Sequence, residues 1–102
     1  MKKAYVHTTM YEFEDADKCY DKILQIDPLH ADSISDKGAI LCIKGKYMEA
    51  IALFDKALKI DKTNVRTLRN KAKALRALGH RRIAKKCDEE ASKIESNQKI
   101  ET

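Results

Sequence analysis

The chain has 102 residues, 36% charged and 43% hydrophobic, with three glycines, one proline and a formal net charge of +5. That length suits one domain, and the balance is that of a soluble helical protein rather than a disordered or membrane one. No apolar run approaches the roughly 18 residues a membrane span needs. The opening MKKAYVHTTMYEFED lacks the apolar core and small-residue cleavage site of a signal peptide, so a cytoplasmic location and no membrane partner are expected.

Helical periodicity predicts six helices, at about 2–10, 13–26, 31–44, 47–60, 65–78 and 81–94. The first pair closes at Pro28, which cannot continue the helix carrying Ile23 and Ile26. In the third helix Ile34, Gly38 and Leu41 share a face. In the fourth, Tyr47, Ala50, Ile51, Phe54, Ala57 and Leu58 do so. Gly45 and Gly79 are placed to end helices, and Asn64 to begin one. The tail ESNQKIET is expected to fray, leaving 96–102 as a short polar end.

The chain repeats itself at a spacing of 34 residues. Ala16, Ala50 and Ala84 align, as do Ile23, Ala57 and Ala91, and the small residues Ala4, Gly38 and Ala72. Phe13 matches Tyr47, Tyr20 matches Phe54, and Gly45 matches Gly79. Small residues at a fixed interval mean that backbones approach closely where one helix pair stacks on the next, the signature of a solenoid.

The stretch DSISDKGAILCIKGKYMEAIALFDKALKID (32–61) resembles a tetratricopeptide repeat. The resemblance rests on Gly38, the turn Gly45, Tyr47, Ala50, Phe54 and Ala57, and it extends over nearly the whole chain. It departs from the family where a closing proline belongs: Pro28 complies, but Lys62 and Ser96 fill the matching places. The family's large aromatic near the start of the unit is Ile34 and Leu68 here. The resemblance implies an all-α, right-handed solenoid of three antiparallel helix pairs in one domain spanning 1–102. Repeat 1 would cover about 1–30, truncated at its start, repeat 2 31–64 and repeat 3 65–98. Repeat-packing roles fall to Ala16, Gly38, Tyr47, Ala50, Phe54, Ala57, Ala84 and Ala91.

Catalytic signatures are missing. The glycines are all repeat positions, neither GxSxG nor HExxH occurs, and His7, His30 and His80 share no ligand spacing. His30 and His80 read as solvated turn residues. Residues 12–17, EFEDAD, hold four carboxylates but lack the glycine and closing glutamate of a calcium loop. They read as negative charge at a helix start, where the dipole favours it. Cys19, Cys42 and Cys87 contain no CxxC spacing and read as small buried apolar residues. Neither an enzyme, a cofactor nor a metal is expected.

Charge is distributed unevenly. Residues 1–30 hold four basic and six acidic groups, whereas 65–102 hold eleven and five. From Lys62 to Cys87 there are ten Lys or Arg and no acid. Arg66, Arg69, Lys73 and Arg76 stand three or four apart on one helix, a like-charge arrangement that Asp32 and Asp36 of the preceding unit would relieve. Asp88 replaces the aromatic of Tyr20 and Phe54, and with its charged neighbours gives the last helix a polar outer face.

In the resembled family the first helix of each unit lines a concave groove that holds an extended peptide or a partner's helix. By register the groove would receive Met1, Tyr5 and Thr8, then Asp32, Ser35, Asp36, Ala39 and Ile43. The third unit would give Arg66, Arg69, Asn70, Lys73 and Arg76. A clamp for a C-terminal carboxylate, used by some members, is not expected, because Asp36 would repel it. Arginine forks suit carboxylates or phosphates, and an amide such as Asn70 can hold a peptide backbone. The expected partner is a protein or peptide, acidic or extended. Nucleic acid on the same basic strip is the weaker alternative, since no aromatics stand there for bases to stack on. A monomer, or a weak homo-oligomer through the uncapped first helix, completes the expectation.

Overall fold

The computed structural model describes residues 2–101, with side chains placed for 14–97. Five helices follow in order: α1 (Lys2–Ile26), α2 (Ala31–Ile43), α3 (Tyr47–Ile60), α4 (Val65–Ala77) and α5 (Arg81–Glu101). No strand occurs among the described residues.

Two turns set the helix pairs. Gly45 (φ 83°) and Gly79 (φ 88°) take the left-handed conformation that other residues pay to enter. At the first turn the Lys46 N–H donates to the Leu41 carbonyl at 2.8 Å and the Gly45 N–H to that of Cys42 at 3.0 Å. At the second, His80 donates to Leu75 at 2.8 Å and Gly79 to Arg76 at 3.0 Å. Each pair satisfies the last carbonyls of its helix and folds the chain back.

The first unit departs from this plan and corrects the expectation of separate helices at 2–10 and 13–26. α1 is one continuous helix. Tyr11 stands one repeat length before Gly45, and a tyrosine in the left-handed region would be strained. The α5 helix likewise runs on to Glu101 rather than ending near 94, because no glycine or proline follows Gly79.

Each helix packs on its sequence neighbours: α1 on α2, α2 on α3, α3 on α4 and α4 on α5, with α2 also touching α4. This is the nearest-neighbour stacking of an α-solenoid. Ala50, Phe54, Ala57, Ala72, Ala74, Ala84 and Ala91 are fully buried. Phe54 lies against Gly38, and Tyr47, half-buried, closes the same cluster with Leu41 and Ile51. Ala16, at the matching place on α1, is only half-buried. Burying Phe54 contributes about 2–3 kcal/mol.

Three contacts fix α2 and α4 as parallel neighbours. Asp32 accepts from Asn64 Nδ2 at 3.1 Å, Ser35 Oγ from Thr67 Oγ1 at 2.7 Å, and Asp36 from Arg66 at 2.8 Å. Both helices are capped alike. Asn64 accepts from the Thr67 N–H at 3.1 Å, and His30, one repeat earlier, accepts from the Ser33 N–H through Nδ1 at 3.2 Å. His30 is therefore a helix cap, not the solvated turn histidine the sequence suggested.

Candidate functional site

Parallel packing of α2 and α4 puts one face of each side by side. Between them lies a small recess of about 240 Å³ lined by Ala39, Cys42, Ile43, Asn70 and Lys73. Burial pushes the Cys42 thiol above its ordinary value, with the nearby Lys73 ammonium opposing that shift. Ile43 keeps 60% of its surface exposed. The recess thus offers an apolar floor, a carboxamide and an ammonium. Lys73 forms no ion pair among the described residues.

Toward the start of the two helices the same groove is closed by its own charges. Asp36 pairs with Arg66 and lies beside the Tyr20 phenol of α1. Burial, with Asp36 adding to it, pushes the Tyr20 hydroxyl above its ordinary value. Arg66 thus sits in the groove with its charge already answered.

Arg69 and Arg76 go elsewhere. On α4 they follow a strip turned away from Arg66, Asn70 and Lys73 by roughly a sixth of a turn, and both reach α5. Arg76 binds Asp88; Arg69 binds Glu95 and lies 3.9 Å from Asp88. These carboxylates relieve the like-charge repulsion along α4. Asp32 and Asp36 serve the start of the helix: Asp36 takes Arg66 and Asp32 takes Asn64. Asp88, in the register of buried Phe54, receives guanidinium groups where Phe54 receives a helix. Sequence reasoning missed this pairing; the signal was present in the acids of α5, Asp88 and Glu95 among them, that follow the basic run. Lys71 is also answered, by Asp55 of α3 at 2.6 Å.

Of the expected groove residues, Asp36, Arg66, Asn70 and Lys73 lie where α2 meets α4, and Arg69 and Arg76 face α5. The side chains of Tyr5, Met1 and Thr8 lie outside the described residues. The opposite face of α2 borders a larger cavity of about 550 Å³, shared with α1 and α3 and floored by Leu24, Ile34, Ile40, Leu41 and Leu53. Among the described residues no cluster of His, Cys, Asp or Glu is arranged to hold a metal ion.

Two family models match the chain: the TPR repeat over residues 38–79 and the tetratricopeptide repeat over 19–52. Among solved structures, the crystal structure of MamA superposes with a TM-score of 0.80 at 19% identity, over 91% of this chain and 54% of that one. MamA MSR-1 C2 gives 0.76 at 19%, over 88% and 52%. MamA AMB-1 P212121 gives 0.74 at 19%, over 86% and 48%. At these identities the likeness is one of fold, and this chain spans about half the length of those structures.

Proposed function

Because the chain belongs to the tetratricopeptide-repeat family, we propose that it is a non-catalytic interaction module that holds an extended, acidic segment of a partner protein between α2 and α4. Such repeats generally serve as protein-interaction or scaffold modules. The observation that carries the finer reading is the recess of Ala39, Cys42 and Ile43 beside Asn70 and Lys73. An aliphatic side chain fills the recess, Asn70 bonds the peptide backbone, and Lys73 meets a carboxylate. Arg66, Arg69 and Arg76 contribute little directly, since each already has an acidic partner. A cytoplasmic location, where the three thiols stay reduced, goes with this reading.

The test is a fluorescence-anisotropy titration with a labelled octapeptide of alternating glutamate and leucine. Lys73→Glu weakens binding at least tenfold with the helical circular dichroism unchanged; equal affinity for both proteins removes the groove.

Nucleic acid is the second reading. It is favoured by Arg81, Arg82, Lys85 and Lys86 of α5, all exposed and without ion pairs among the described residues. Filter binding to duplex DNA at two salt concentrations decides it, a phosphate-driven contact weakening steeply with salt.

A further inference from the structure

Two sets of cations stand out, beside unpaired lysines scattered elsewhere such as Lys56, Lys59 and Lys73. Those of α4 that reach a neighbouring helix are neutralised: Arg66, Arg69, Lys71 and Arg76 each meet a carboxylate. A second group is left without ion pairs among the described residues: Lys44 and Lys46 at the first glycine turn, and Arg81, Arg82, Lys85 and Lys86 after the second.

That second group shares one edge of the solenoid. Because α2 and α4 run parallel, their C-terminal ends lie at the same side, and so do the turns at Gly45 and Gly79 and the starts of α3 and α5. All six cations are exposed and stand within two helical turns of that edge. The helix ends add to their field: α3 begins without a side-chain cap, and the first turn of α5 holds no acid. Glu49 interrupts the edge between the two turns, exposed Glu89 and Glu90 stand four residues on from Lys85 and Lys86, and Glu14 and Asp15 of α1 are exposed as well.

Three aliphatic side chains stand in the same field. Ile43 is 60% exposed, Met48 70% and Ile83 51%. A nucleic-acid backbone offers them nothing apolar, and Tyr47, the aromatic beside Met48, is half-buried against the core rather than offered for bases to stack on. A surface that is anionic outside and hydrocarbon just beneath answers both features at once. We propose that this edge is a peripheral docking surface for an anionic lipid bilayer. Its cations lie against the headgroups, and Ile43, Met48 and Ile83 dip toward the acyl boundary. Hydropathy along the sequence gives no hint of it, because the apolar residues come one at a time from three helices. Ile43 also borders the recess between α2 and α4, so a bilayer and a peptide would compete for that one side chain, but this inference does not rest on the peptide reading.

Co-sedimentation with vesicles tests it. The full chain should pellet with phosphatidylcholine vesicles containing one-third phosphatidylserine, and not with phosphatidylcholine alone. Raising salt from 50 to 300 mM should release most of it. The variant R81E/R82E/K85E/K86E should lose at least tenfold in partition, and Met48→Asp with Ile83→Asp severalfold, both with unchanged circular dichroism. Lys59→Glu, in the last turn of α3 at the opposite edge, should pellet almost as wild type. No binding to anionic vesicles at low salt overturns the proposal. So does binding that the aspartates leave untouched, or capture of duplex DNA in preference to vesicles.

Discussion

Gly38 of α2 lies directly beneath the ring of Phe54 of α3. A Cβ placed at residue 38 would stand 2.6 Å from Phe54 Cε1 and 2.9 Å from Cδ1. The repeat therefore uses its one helical glycine to let an aromatic ring seat against backbone. One unit later Ala72 faces the register of Asp88, which brings no ring, and the methyl fits.

Gly38→Ala accordingly tests packing against propensity. Alanine improves the intrinsic helix by about 1 kcal/mol, but pushing a fully buried ring aside costs about 1–3 kcal/mol. Urea denaturation should give a net loss of roughly 1 kcal/mol or more. Adding Phe54→Leu should make Gly38→Ala neutral or stabilising in that background; an unchanged penalty would place its cause outside the Phe54 contact.

The Ser35–Thr67 hydrogen bond is buried between α2 and α4. Thr67→Val leaves the Ser35 hydroxyl without this partner and should cost about 1–3 kcal/mol. The double variant Ser35→Ala/Thr67→Val should cost clearly less than the sum of the single changes. Additivity in the double-mutant cycle would show that the hydroxyls do not couple.

Arg69 and Arg76 are 43% and 50% exposed in their side chains, so their bonds to Glu95 and Asp88 are solvent-screened. Asp88→Asn with Glu95→Gln should lower stability by less than about 1 kcal/mol per pair. It should also free two guanidinium groups and raise affinity for the glutamate–leucine octapeptide severalfold at low salt. Unchanged affinity would mean that these arginines play no part even when released.

The thiols should report the layering of the helices. Cys19 is exposed, contrary to the burial expected of all three, because it lies on the outer side of α1; Cys42 is half-buried and Cys87 buried, so a maleimide at neutral pH should label them in that order. Burial raises the Cys42 and Cys87 thiols in the folded chain above the ordinary 9.0, with Lys73 and Lys71 respectively opposing it. A raised acid gives stability that is fully present below its unfolded value and is lost as pH climbs through the folded one. The urea midpoint should therefore fall as pH rises past 9, and Tyr20, raised from 10.0, acts in the same direction.

Much of this architecture is written in the repeat. The turns at Gly45 and Gly79, the cap Asn64 and the buried positions of Phe54, Ala57 and Ala91 follow from local chemistry recurring at a fixed interval. The continuity of α1 was misread as two helices, although residue 11 is a tyrosine where the other units have glycine. The fate of the arginines was not legible. Whether Arg69 faces a groove or α5 depends on a sixth of a turn of helix phase and on where α5 lies, and neither has a local signature. The exposed edge around Ile83 was hidden for the same reason, since its members come together only when the helices stack.

The most direct test of the binding account is a titration of ¹⁵N-labelled protein with the glutamate–leucine octapeptide, followed amide by amide. Shift changes should gather at Ala39, Cys42, Ile43, Asn70 and Lys73. Changes confined to residues 81–86, or none at all, would contradict the groove between α2 and α4.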